Sequence, residues 1–245
     1  MRAYKFLADG GRGRFSDFHW PLPAEGSVGD WVDAGENLED CRTGVHACTP
    51  RQLLDWIDDE LWEIELDGEI IERDAMIVAE RGRLLARITA WDGKTAQEFA
   101  DACAWRTREF AFRGLRRLGL TEEAERLVDT AELAEMQTAA AAAFERSDGS
   151  AAELSAFAAD SVSLARGQRP EMWDVHAHSG LREPVQTPGA VAANLAFVVA
   201  NTAGREAVAA GAEADYARGF ETEREWQLAW LTERLGLRAS GPLRS

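Results

Sequence analysis

The segment Cys41-Arg-Thr-Gly-Val-His-Ala-Cys-Thr-Pro50 contains two of the chain's three cysteines and one of its four histidines. No other part of the sequence holds reactive side chains so close together. Thr49 and Pro50 are typical of the N-cap and first position of a helix, so the residues before them are predicted to end a strand. Because side chains alternate along a strand, we expect His46 and Cys48 on the same face.

One interpretation of this segment is a zinc site. Two donors that leave one face of a strand can bind a single tetrahedral ion, and the glycine before Val45 allows a turn that brings a further cysteine to that face. The ligands would be Cys41, His46 and Cys48, with a fourth from Cys103, His176 or His178. A closed set of four would make the ion structural, whereas an open position with water would make it catalytic.

Two other interpretations of the same residues stay open. In the first, His46 removes the proton from Cys48 or Cys41, and the thiolate acts as a nucleophile on a small substrate. No third residue that would orient this histidine is evident in the sequence. In the second, the cysteine packs in the core and the histidine bonds a backbone carbonyl, which is the more frequent outcome for so short a motif.

Composition restricts the class of partner. A net charge of −16 over 245 residues disfavours a nucleic acid or an anionic membrane surface. No apolar run reaches the roughly 20 residues of a membrane span, and the first residues lack the apolar core of a signal peptide. An odd number of cysteines does not make a disulfide framework. We therefore expect a cytoplasmic protein that binds a small molecule or another protein.

Residues 1–91 are predicted to form a small, mostly antiparallel sheet with one short helix at 50–59. The clearest strand is Leu61–Leu66, where apolar side chains alternate with acidic ones, so one face is expected to be buried and the other solvated. Paired carboxylates on that face are the less common alternative, as acid and base or as metal ligands. The glycine-rich and aromatic loop 9–29 is long enough to suggest a function, which draws attention to His19 and Trp20.

Residues 92–237 are predicted to form a helical region of five or six helices packed on the sheet, followed by a tail at 238–245. Patterns of a capping residue with glutamate three positions later begin two of the helices, at Thr95 and Ser150. Residues 122–146 read as one helix and 205–218 as a separate one. The first helix carries five arginines, whose commoner use is to neutralise acids elsewhere in the fold. His176 and His178 fall in a loop between helices.

Five segments carry a resemblance to known proteins. They are Ala3-Tyr-Lys-Phe-Leu7, Cys41-x-x-Gly-Val-His-Ala-Cys48, Leu61-Trp-Glu-Ile-Glu-Leu-Asp-Gly-Glu69, Arg81-Gly-Arg-Leu84 and Glu223-Arg-Glu-x-Gln-x-x-Trp-Leu231. Together they resemble a group of actinobacterial proteins with no established activity, so the resemblance implies no function and no site. The order of the N-terminal elements is also similar to the start of ADP-ribosyltransferase-type folds, although their NAD-binding and catalytic signatures are not matched.

The sequence as a whole predicts an α+β protein in which a small N-terminal sheet packs on a C-terminal helical bundle. The leading interpretation is a binding or interaction protein with a zinc site at Cys41–Cys48. The alternative is a small-molecule enzyme that uses His46 with Cys48, or the pair His176 and His178, between the two regions.

Overall fold

The computed structural model describes residues 1–13, 15–168, 187–211 and 215–237 and has the α+β class that the sequence predicts. The chain divides into two compact units. The first consists of Met1–Thr95 with Leu228–Ser245, and the second of Ala96–Gln227. The predicted tail at 238–245 lies outside the described residues.

The first unit is built on one antiparallel sheet of five strands in the described part of the chain. The strands are β1 (Arg2–Leu7), β2 (Val32–Asp33), β3 (Val45–Ala47), β4 (Glu60–Glu72) and β5 (Ile77–Arg87). β1 pairs with β4, β4 with β5, and β5 pairs on its other side with β2 and β3. A short 3-10 helix, Pro50–Asp55, connects β3 to β4.

A single bridge closes the sheet on itself. The backbone N–H and C=O groups of Tyr4 and Cys48 bond to each other at 2.8 Å, which joins β1 to the residue directly after β3. The strands β1, β4, β5 and β3 are therefore neighbours in a closed circuit. Together with Trp20 of the loop 9–29, their inward side chains form a buried hydrophobic cluster. Its members are Ala3, Leu7, Trp20, Val45, Ala47, Trp62, Ile64, Leu66, Ile77, Ala79 and Leu84.

The N-terminal strands are longer and the helix shorter than the sequence predicts. β4 runs on to Glu72, and residues 83–87, which the sequence leaves undecided, belong to β5. The predicted helix at 50–59 ends at Asp55. Gln52 fixes this short helix by donating from Nε2 to the Arg73 carbonyl at 2.6 Å.

The acidic face of β4 is paired with arginines. Glu65 bonds to Arg83 at 2.7 Å and Asp67 bonds to Arg81, each from the cross-strand position on β5. The ring of Trp31 lies against both guanidinium groups. Its centroid is 5.0 Å from the guanidinium carbon of Arg81 and 4.6 Å from that of Arg83. These two carboxylates therefore serve cross-strand pairing in the described structure.

Helices form the rest of the described chain. They are α1 (Gly93–Arg117), α2 (Thr121–Val128), α3 (Leu133–Arg146), α4 (Gly149–Ala165), α5 (Pro188–Ala209) and α6 (Tyr216–Arg234). α4 is buried on nearly all sides from Ala151 to Ala165, so it lies at the centre of the second unit.

Several predicted helix boundaries are wrong. α1 begins at Gly93 rather than after Thr95, and the Thr95 N–H donates to Asp92 Oδ1 at 2.7 Å. α4 begins at Gly149 with Asp148 as its N-cap, rather than after Ser150. The single helix predicted at 122–146 is interrupted between α2 and α3, because Thr130 Oγ1 donates to the Leu127 carbonyl at 2.8 Å and Glu135 accepts from the Ala131 N–H at 2.9 Å. These side-chain bonds end one helix and begin the next, and they outweigh the high helix propensity of the segment. The helix predicted at 205–218 does not exist as a separate element, since α5 extends through Arg205 to Ala209.

Three of the five arginines of α1 pair with buried acids, the use that the sequence favours. Arg106 donates two bonds to Glu223, and Arg113 and Arg117 both bind Glu206. Glu223 is 1% exposed. This pairing is the main electrostatic feature inside the second unit.

Within the described residues, every helix is too short or too polar to cross a membrane.

Candidate functional site around Lys5 and His46

His46 organises the turn that precedes β3. Its Nε2 atom accepts a hydrogen bond from the Cys41 backbone N–H at 3.0 Å, while Cys41 adopts a left-handed backbone conformation with φ 59°. Burial and then the nearby charge of Lys5 lower the pKa of His46, so the imidazole is held neutral, as an acceptor must be. The structure thus brings Cys41 and His46 together through the backbone of Cys41, and its side chain is exposed.

Cys48 is enclosed in the fold. It is 1% exposed, and both of its backbone groups are bonded to Tyr4. Burial raises the pKa of the Cys48 thiol to about 12, although the positive charge of Lys5 acts in the opposite direction. At neutral pH the group is therefore a thiol, and the thiolate that a nucleophile requires is a minor form.

This difference between the cysteines predicts a simple labelling result. With Ellman's reagent at pH 8, we expect one fast-reacting thiol in the native protein and three after unfolding in guanidinium. The fast reaction should disappear in Cys41→Ser and persist in Cys48→Ser, because Cys48 and Cys103 are buried whereas Cys41 is exposed. A native Cys48 that reacts as fast as free cysteine would instead support the nucleophile interpretation.

The remaining predicted metal ligands lie elsewhere or are not described. Cys103 is on α1 in the second unit, where burial raises the pKa of its thiol well above the ordinary value. His176 and His178 lie outside the described residues. Across the described ranges, no group of three or more His, Cys, Asp or Glu side chains is arranged to hold a metal ion. The zinc site stays a prediction that metal analysis of the purified protein can test.

The sequence reasoning missed Lys5, which occupies the inner face of β1. It stands between Ala3 and Leu7, both members of the core, and its cross-strand neighbour is Trp62. The side chain is only partly exposed. Its Nζ donates to the His46 carbonyl at 2.5 Å and lies 4.7 Å from the centroid of the Trp20 ring. Lys5 therefore connects the inner surface of β1 to the segment around His46.

Lys5 has no acidic partner among the residues that the structure describes. Its single hydrogen bond there is to a neutral carbonyl, and no carboxylate contributes to its electrostatic surroundings. Burial lowers the pKa of the Lys5 ammonium to about 8. An ammonium that is largely removed from water without a counter-ion is unfavourable, so such groups occur mainly where a ligand or a reaction requires them.

One aromatic ring, that of Trp20, lies against this amine, and further aromatic side chains lie near it or near His46. The Trp20 ring meets Phe18 edge to face at 5.8 Å between centroids, and Trp56 meets Phe15 in the same way at 6.2 Å. Trp56 also lies 6.5 Å from the His46 ring. Phe15 and Phe18 are 75% and 44% exposed, which is unusual for side chains of this size. The loop 9–29 thus supplies one buried ring, Trp20, against the Lys5 amine and two exposed rings, Phe15 and Phe18, of which Phe18 contacts Trp20.

Of the loop residues that the sequence singles out, one belongs to the site. Trp20 is buried and lies against Lys5, whereas His19 is exposed. The sequence did contain an indication of Lys5. Because residues two positions apart on a strand share a face, Lys5 is expected on the same inward face as Ala3 and Leu7. Lys5 is also one of two lysines among 27 basic residues, in a chain that otherwise uses arginine.

The arrangement can do two things chemically. The two N–H bonds of the ammonium that are not directed at His46 can bind an oxygen acceptor of a ligand, and the aromatic rings can cover a flat apolar body. When it is deprotonated, the same amine is a nucleophile. No protein-family model, curated protein or solved structure matches this chain, so the site is defined by its own geometry alone.

Proposed function

We propose that this chain is a small-molecule binding protein whose site is centred on Lys5. The ligand is a small, flat and largely apolar molecule with an oxygen acceptor that meets the Lys5 amine. The observation that supports this most strongly is the inward-facing ammonium, to which no residue of the described ranges supplies an acidic partner, in a chain with 43 acidic residues. The proposal keeps the binding function expected from the sequence and moves its centre from the cysteines to Lys5.

The chemistry of the amine supports a ligand rather than a purely structural role. One N–H donor is sufficient for the His46 carbonyl, yet a lysine brings three donors and a charge. An oxygen of a ligand would satisfy a second donor and, if anionic, would offset the charge. Hydrogen bonds to charged groups contribute about 1.5 to 3 kcal/mol, which is enough to decide between ligands.

The aromatic surface supports the shape of the ligand. Exposed aromatic side chains that lie together mark an interaction site more often than single scattered ones do. Trp20 lies next to Lys5 and Phe18 next to Trp20, and aromatic rings of this kind can contact a ligand ring by edge or face. A benzoate ring carries both required parts, the flat apolar body and the oxygen acceptor, and is therefore a suitable probe.

The test is binding of 4-fluorobenzoate, followed by fluorine NMR of the ligand. We expect saturable broadening with the wild-type protein and an affinity reduced about 10-fold to 100-fold in Lys5→Met, because one charge-assisted bond is lost. Lys94→Met is the matched control, since Lys94 is the other lysine and lies exposed at the start of α1. Equal affinity of wild type and Lys5→Met would contradict the proposal.

The pH dependence provides an independent check. A carboxylate prefers the ammonium form of Lys5, whose pKa is about 8. Affinity should therefore be highest below pH 8 and fall as the pH rises through that value.

A further inference from the structure

We propose that Phe18 determines the ligand specificity of the Lys5 site and that it favours aromatic carboxylates with two fused rings over those with one ring. This inference rests on the proposed function, since it concerns the ligand held at the same amine. It narrows the ligand class to carboxylates of the size of a naphthoate, and it assigns the discrimination to one side chain of the loop 9–29.

Backbone hydrogen bonds fix the position of Phe18. Within the loop 9–29, the Trp20 N–H donates to the Gly11 carbonyl at 3.0 Å, and the Gly13 N–H donates to the Phe18 carbonyl at 2.8 Å. These bonds pair two short segments of the loop as the arms of a hairpin. Side chains two positions apart on an extended arm share a face, which agrees with the edge-to-face contact of the Phe18 and Trp20 rings at 5.8 Å. Phe18 is therefore held beside Trp20 before any ligand binds.

The two rings differ in how much of their surface a ligand can reach. Trp20 is 8% exposed, and its ring centroid lies 4.7 Å from Lys5 Nζ, so most of its surface already contacts the protein. Phe18 is 44% exposed. Trp20 thus contacts both the amine and Phe18, and of these two rings Phe18 has the larger free area for a ligand to cover.

The spacing of these groups sets the length of the preferred ligand. A ligand oxygen bound at Lys5 lies beside Trp20, and residues two apart on an extended arm are separated by roughly 7 Å. A carboxylate with one ring spans this distance only in part, whereas a second fused ring extends further toward Phe18. Removing one further ring from water increases affinity by about 10-fold.

Phe15 provides a matched control in the same loop. It is the more exposed of the two phenylalanines, and its ring meets Trp56 edge to face at 6.2 Å. Trp56 is itself fixed, because its Nε1 donates to the Ala75 carbonyl at 2.6 Å. A general apolar effect of the loop would act through both phenylalanines, whereas the proposed specificity acts through Phe18 alone.

The test compares the affinities of 6-fluoro-2-naphthoate and 4-fluorobenzoate for the full chain, measured by fluorine NMR. For wild type we expect the naphthoate to bind about 10-fold more tightly. Phe18→Leu should lower this ratio by about 3-fold or more, because leucine is apolar but lacks the ring. Phe18→Tyr, which keeps the ring, and Phe15→Leu should retain the wild-type ratio. Lys5→Met should weaken both probes by the same factor.

The outcomes separate the inference from the proposed function. If both probes bind and Lys5→Met weakens them, but the ratio is unchanged in Phe18→Leu or falls equally in Phe15→Leu or Phe18→Tyr, the specificity inference is overturned and the proposed function stands. If neither probe binds saturably, or if Lys5→Met leaves both affinities unchanged, the proposed function fails and the inference fails with it. A ratio that falls in Phe18→Leu alone supports both.

Discussion

Replacing Arg106 with methionine is expected to destabilise the protein by about 3 to 5 kcal/mol at neutral pH. Glu223 is 1% exposed, and Arg106 donates to both of its oxygens, at 3.2 Å and 3.1 Å from Nε and 2.8 Å from Nη2. Methionine keeps part of the contact with the Trp226 ring, on which the guanidinium stacks at 4.6 Å. The principal change is therefore a buried carboxylate without its cation.

The pH dependence identifies Glu223 as the cause. Burial raises the pKa of Glu223 above its ordinary 4.5, and Arg106 opposes that rise, so its removal should raise the pKa further. A carboxyl group whose folded pKa exceeds its unfolded pKa stabilises the fold at low pH and loses this contribution as the pH rises through the folded pKa. The deficit of Arg106→Met should thus be largest at pH 7 and smaller at pH 5.

Urea denaturation at both pH values measures this effect. Arg126→Met is the matched control, because Arg126 pairs with Glu122 on the surface of α2 and such pairs contribute about 0.5 kcal/mol or less. The double variant Arg106→Met with Glu223→Gln should recover part of the loss, since the uncompensated charge is gone. A deficit below about 1 kcal/mol, or one that does not change with pH, would contradict a strong buried pair.

Local sequence patterns predicted which strands and helices form better than they predicted where each one begins and ends. The alternation in residues 61–66 indicated β4, but its extension to Glu72 depends on pairing with β5, which a single strand does not reveal. The helical pattern of residues 122–146 was read as one element because its alanines favour helix. The bonds made by Thr130 and Glu135 are weak signals in a sequence, yet they determine where α2 ends and α3 begins.

The site was predictable only in part for a similar reason. The density of reactive side chains at Cys41–Cys48 directed attention to sulfur and imidazole, and the structure places one thiol outside and one inside the fold. Lys5 is ordinary in isolation. It becomes unusual only when the closed circuit of strands turns its face inward, where no described residue offers it an acid, and that circuit depends on the bridge between Tyr4 and Cys48. Long-range strand pairing of this kind has no local signature.

Replacing Lys5 with methionine is expected to stabilise the protein by about 1 to 2 kcal/mol at pH 7, although the same change should weaken ligand binding. Burial lowers the pKa of Lys5 from 10.5 to about 8, and a shift of this size corresponds to about 3 kcal/mol of unfavourable free energy for the charged form. The expected gain in stability is smaller than about 3 kcal/mol for two reasons. The side chain is partly exposed, and methionine loses the bond to the His46 carbonyl, which contributes about 1 kcal/mol.

The sign of the pH dependence follows from the direction of the shift. A lysine whose folded pKa is lowered favours the fold when it is neutral, so its contribution is fully present above the unfolded pKa of about 10.5 and is lost as the pH falls through about 8. The advantage of Lys5→Met should therefore be clear at pH 7 and absent near pH 10.5, where wild type carries no charge at this position. Guanidinium denaturation of wild type, Lys5→Met and Lys94→Met at both pH values measures it, with Lys94→Met expected within about 0.5 kcal/mol of wild type.

If Lys5→Met were less stable than wild type at pH 7, the amine would be a structural donor to His46, and the reason to assign it a ligand would be lost. A gain in stability together with a loss of binding would instead mean that the fold tolerates an unfavourable charge in order to keep a functional amine.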